Sequence, residues 1–64
     1  MLAQNIKKLR KQHDLSQEEL AKKAGVTYST LIKLESGANK NPTIKTIQQI
    51  AAALEVTLDE LTRT

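Results

Sequence analysis

The stretch S-Q-E-E-L-A-K-K-A-G-V-T-Y-S-T-L-I-K-L-E-S-G, residues 16–37, decides the fold. Ser16 is a favourable N-cap, and Glu19, three residues on, is spaced to reach back and complete a capping box, which predicts a helix beginning at Gln17. Leu20, Ala21 and Ala24 recur at helical spacing and define one buried face, with Ala21 small enough to let another helix pass close. Gly25 ends that helix, because a left-handed residue costs least where there is no Cβ. Val26 fills the corner and Thr27 caps a second helix, whose Leu31 and Leu34 face the core and which Gly37 stops.

Two short helices meeting at a tight corner form a helix-turn-helix, an arrangement that points to duplex DNA. At about 100° per residue, Tyr28, Ser29, Ile32, Lys33 and Ser36 share the face opposite Leu31 and Leu34, where bases would be read.

The flanking sequence extends the helical pattern. Leu2, Ile6 and Leu9 form a stripe surrounded by Lys7, Lys8, Arg10 and Lys11, which predicts a basic first helix over residues 2–13. After Gly37, residues 38–42 read as a polar loop. Thr43 caps a fourth helix with Ile44, Ile47, Ile50, Ala51 and Leu54 as a continuous apolar stripe. Thr57 and Glu60 form another capping box, opening a short fifth helix with Leu58 and Leu61 inward. No strand pattern competes, so the expected fold is all-α with five helices in one domain over residues 1–64.

With 64 residues the chain has room for one small core. The absence of cysteine excludes a disulfide framework or thiolate metal site and fits a reducing cytoplasm. No membrane span or signal peptide is legible. The net charge of +3 is unevenly spread, +5 over residues 1–45 and −2 over 46–64, so the basic excess coincides with the motif. No nucleophile with a base, paired carboxylates or phosphate loop can be assembled, and His13 has no second histidine beside which to hold a metal. Neither an enzyme nor a bound cofactor or metal is expected.

N-I-K-K-L-R in the first helix, L-S-Q-E-E-L-A in the second, A-G-V-T across the turn, L-E-S-G closing the third and the final L-E-V-T-L-D-E-L together resemble the phage-repressor and Cro type of DNA-binding domain, the XRE-like family. The resemblance covers nearly the whole chain and implies a compact five-helix, lambda-repressor-like fold. It implies that Gln17 holds a phosphate and braces the reading helix, and that Arg10 and Glu35 form an orienting ion pair. Base reading falls to Tyr28, Ser29, Ile32 and Lys33: Lys33 can donate to guanine, Ser29 can serve either partner, and Ile32 is suited to a thymine methyl. Arg10, Gln17, Thr27, Asn39 and Lys40 are the expected phosphate ligands.

The implied function is sequence-specific binding of double-stranded DNA by a cytoplasmic, nucleoid-associated transcriptional regulator, a repressor acting as a pair on a pseudo-palindromic operator. The homodimer is expected to be weak and to close mainly on DNA, with Val56 and Leu58 at the contact by their position in the family. The alternative is a protein-interaction module of the same fold, such as an antitoxin, an anti-repressor-binding domain or a coactivator-like domain, and a protein effector fits either reading. Glu55 stands where the family has glycine after helix four. A left-handed residue there costs about 1 kcal/mol, which predicts an altered helix end or a less stable domain.

Overall fold

The computed structural model describes residues 2–62, and every regular element among them is helical. In chain order these are α1 (Leu2–Gln12), α2 (Gln17–Ala24), α3 (Tyr28–Ser36), α4 (Ile44–Ala53) and α5 (Leu58–Thr62). The first helix ends one residue before the expected His13. The side chains of Ser16, Thr27, Thr43 and Thr57 each accept a hydrogen bond from the backbone N–H three residues on, satisfying donors that a helix start leaves orphaned. Glu19 and Glu60 return the bond to the backbone N–H of Ser16 and Thr57, completing both capping boxes.

Helix ends obey a second local rule. At three corners a left-handed residue is followed by an apolar residue and then by a hydroxyl N-cap: Asp14-Leu15-Ser16, Gly25-Val26-Thr27 and Glu55-Val56-Thr57. In each, the left-handed residue donates to a carbonyl three residues back, and the apolar residue donates to one five back: Leu15 to Arg10, Val26 to Ala21, Val56 to Ala51. This is the Schellman pattern, and Leu15, Val26 and Val56 all pack against the core, as its hydrophobic contact requires. Glu55 takes φ 59° and Asp14 φ 56°, so the left-handed conformation is adopted without glycine and the end of α4 keeps its full set of bonds.

Ile6, Leu20, Leu31, Leu34, Ile50, Leu54 and Leu61 are sealed from solvent, and the small Ala21, Ala24, Ala51 and Ala53 let the helices approach closely around them. α1 lies across α3 and α5, and α2 packs on α3 and α4. The stripe of α4 is shorter than its periodicity implies. Ile44 is 66% exposed, because it sits in the first turn, beyond the reach of the neighbouring helices. Leu58 likewise opens α5 at the surface instead of pointing inward, which leaves Leu61 as the anchor of that helix. Asn5 Nδ2 donates to the carbonyl of Leu61 at 2.9 Å, tying α1 to the last turn of α5 and satisfying a carbonyl that a helix C-terminus leaves open.

Candidate nucleic-acid interface

The orientation of α3 is set by a clamp around one carboxylate. Glu35, in the last turn of α3, has a side chain only 3% exposed. Arg10 of α1 grips it with two bonds, Nε to Oε2 at 2.7 Å and Nη2 to Oε1 at 3.1 Å, and places Nη1 2.8 Å from the carbonyl of Leu15. Gln17, the first residue of α2, donates from Nε2 to Oε1 of the same carboxylate at 3.3 Å. Three helices and one corner therefore converge on Glu35, and the planar guanidinium makes the geometry directional as well as attractive.

With Leu31 and Leu34 buried, α3 turns Tyr28, Ser29, Ile32, Lys33 and Ser36 outward. Tyr28 is 46% exposed and also lines a shallow groove with Val26, Ala21 and Lys22, so its ring sits on the α2 side of the outer face. Ser36 is engaged in closing the helix: its hydroxyl donates to the carbonyl of Lys33 and accepts from the N–H of Ala38. The hydroxyl of Thr27 is taken up at the helix start, accepting from the N–H of Thr30 and donating to the hydroxyl of Thr30 at 2.7 Å.

The loop between α3 and α4 is wired to the same helix. Asn39 donates its N–H to the carbonyl of Lys33 at 3.1 Å, and its Oδ1 accepts from the N–H of Asn41 at 3.1 Å, while Lys40 is exposed beside them. Thus Lys33, Asn39 and Lys40 lie on one continuous stretch of braced backbone. The expected phosphate ligands are not alike in this respect: Lys40 is solvent-facing, whereas Arg10 directs its guanidinium inward to Glu35 and Leu15.

Sequence reasoning missed Thr30, whose hydroxyl completes the cap with Thr27. The available signal was the repeated T-x-x-T at 27–30 and 43–46, since Thr43 and Thr46 bring their hydroxyls to 2.9 Å in the same way. At the start of α2, the carboxylate of Glu19 is held below its ordinary value of 4.5, first by the hydrogen bond from the Ser16 backbone and then by the Ser16 side chain. Among the described residues no group of acidic, histidine or cysteine side chains is arranged to hold a metal ion, and no helix is long and apolar enough to cross a membrane.

Known proteins share this geometry. The helix-turn-helix family model matches residues 6–61. SinR of Bacillus subtilis (strain 168), an HTH-type transcriptional regulator, is 39% identical over 61 residues, covering 95% of this chain and 55% of SinR. The chain thus spans about half the length of the curated relatives it matches. The crystal structure of SinR in complex with DNA, described as the master regulator for biofilm formation, superposes with a TM-score of 0.92 at 39% identity, over 95% of this chain and 97% of that one. The complex of SinR with the SinI protein gives a TM-score of 0.94 at 38% identity, over 98% of this chain and 61% of that chain. These relatives are transcriptional regulators and not enzymes. By sequence and by fold, this chain belongs to the XRE-type helix-turn-helix family.

Proposed function

We propose that this chain binds double-stranded DNA by laying the outer face of α3 in the major groove, and that it regulates transcription as a repressor in the cytoplasm, at the nucleoid. The observation that carries this reading is the pairing of an exposed face of Tyr28, Ser29, Ile32 and Lys33 with a partly buried clamp, Arg10–Glu35–Gln17, that holds the helix bearing it. Such a helix keeps its backbone in place before contact, so only its exposed side chains are left to order on binding. The likeness to DNA-bound SinR supports the same orientation.

In this reading Lys33 donates to guanine O6 or N7, and Ser29 bonds a neighbouring base. Lys40 and Asn39 hold phosphate from the loop, and Gln17 and the backbone N–H of Thr27 do so from the helix starts, the Thr27 hydroxyl being engaged in its cap. Arg10 acts through Glu35, by orienting α3. Two copies sit on half-sites about one helical turn apart, forming a weak homodimer that closes mainly on DNA, with Val56 and the exposed Leu58 at the contact.

Selection of bound duplexes from a random-sequence library at near-physiological salt tests the proposal, with Tyr28→Ala/Lys33→Ala as the control. A two-fold motif enriched by the natural protein and lost in the control is the expected result. Equal recovery of all sequences would overturn it. It would then favour the second reading, a module that binds a protein, for which the SinR–SinI complex is the supporting likeness.

A further inference from the structure

Between the first turn of α1 and the end of α3 lies a cavity of about 300 Å³, lined by Leu2, Ala3, Leu34, Gly37, Asn39 and Lys40 and by none of the base-reading residues. Its floor is apolar. Leu34, 1% exposed, reaches it from the core, and the half-buried Leu2 and Ala3 flank it. A Cβ placed on Gly37 would meet nothing within 4 Å, so the space over the end of α3 is open. The polar side chains of the lining are donors. Lys40 has no ion pair among the described residues, and no acidic side chain lines the cavity or stands in the first turn of α1. Asn39 has its Oδ1 taken by the N–H of Asn41, which leaves its Nδ2 to donate. The nearby carbonyls of α3 are occupied, that of Lys33 by the N–H of Asn39 and that of Leu34 by the N–H of Gly37.

We propose that this cavity binds a small anionic amphiphile, a carboxylate on an aliphatic chain, whose two oxygens take the Lys40 ammonium and the Asn39 amide and whose chain lies on Leu2, Ala3 and Leu34. Charge complementarity selects the occupant: an apolar trough with one unpaired cation and one amide donor matches a monoanion with a short apolar tail. The volume stands at the lower end of the range for small-molecule sites and is too small to seat a helix of a partner protein, which is about 10 Å across. Lys40 is also a proposed phosphate ligand, so the amphiphile and DNA compete for one ammonium and the cavity acts as an effector site. This coupling, unlike the binding itself, rests on the DNA-binding reading above.

The test titrates octanoate into the natural protein at constant ionic strength and follows the backbone amides by NMR, with hexanoate and butanoate as shorter chains and octan-1-ol as the uncharged control. Saturable shifts at Leu2, Ala3, Leu34, Gly37 and Lys40 are expected. Affinity should rise by up to about fourfold per methylene and should exceed that of octan-1-ol by roughly two- to fivefold. Lys40→Gln should erase the preference over octan-1-ol, and Ala3→Phe, which fills the cavity, should abolish saturable binding. No saturable shift at the lining, or equal affinity for octanoate and octan-1-ol, overturns the proposal. That comparison needs no variant, so it stands even if Ala3→Phe disturbs folding. The coupling is read from the affinity for the duplex enriched in the library selection, with and without saturating octanoate. A several-fold loss in the natural protein, absent in Ala3→Phe, is expected, and an unchanged affinity overturns the effector role while leaving the cavity site in place. Failure to enrich any duplex removes the DNA-binding reading and the coupling together, and the NMR titration then decides the cavity site alone.

Discussion

The corner joining α2 to α3 and the corner joining α4 to α5 are closed by the same pair of backbone hydrogen bonds, yet the first turns on Gly25 at φ 75° and the second on Glu55 at φ 59°. Each is followed by valine packed on the core and by threonine capping the next helix. The shared bonds and the valine therefore make the corner, whereas the left-handed residue sets its conformational cost. Glycine at position 25 is not required for space, since a Cβ there would meet only the Gln49 amide nitrogen, at an ordinary 3.5 Å. The two corners differ more in what stands behind them. The second helix of the motif, α3, has Arg10 and Gln17 gripping its Glu35, while α5 is tied back through Asn5 and the carbonyl of Leu61.

The largest effect is expected where the clamp on Glu35 is cut. Glu35→Ala leaves the Arg10 guanidinium, 11% exposed, without its carboxylate and should cost about 3 kcal/mol of stability, read from the urea midpoint. A loss below about 1 kcal/mol would mean that Arg10 simply turns to solvent, and that the corner alone orients α3.

Exchanging the left-handed residues tests the equivalence of the corners. Gly25→Ala forces a Cβ into the left-handed region and should destabilise by about 1 kcal/mol, whereas Glu55→Gly removes that strain and should stabilise by a similar amount. Chemical denaturation of both variants decides the matter, and a destabilising Glu55→Gly would show that its side chain contributes more than its backbone conformation costs. Asp14→Gly should gain less than Glu55→Gly, since aspartate tolerates the left-handed region better than glutamate does.

The smallest effect belongs to the fully exposed cap that starts α2. Because the folded state holds the Glu19 carboxyl below its ordinary value, its contribution is complete above about pH 4.5 and disappears as the pH falls through the folded value. Ser16→Ala keeps the backbone N–H that is the larger cause and removes only the hydroxyl, so the Glu19 titration, followed by NMR at its side-chain carboxyl, should move part of the way back up toward 4.5. An unchanged titration would show that the hydroxyl does not contribute.

Helix starts, the Gly25 corner and the inward faces of α2 and α3 were legible in the sequence, because each depends on residues within about one turn of one another. The Schellman stops at Asp14 and Glu55 were harder to read. Their signature is an apolar residue between a polar residue and a hydroxyl cap, and nothing in the polar residue itself announces a positive φ. The Arg10–Glu35 contact spans 25 positions and entered through family resemblance, not through any local pattern.

The amino-acid sequence by itself determined the five helices, their caps and the division of α3 into an inner and an outer face, since capping and periodicity are short-range physics. Only the tertiary structure decided that Ile44 and Leu58 lie outside the core, that Gln17 shares Glu35 with Arg10, and that Asn5 closes the end of α5. An apolar stripe states what a helix is able to bury. How much of it is buried depends on where the neighbouring helices end, and that is settled only when all five pack together.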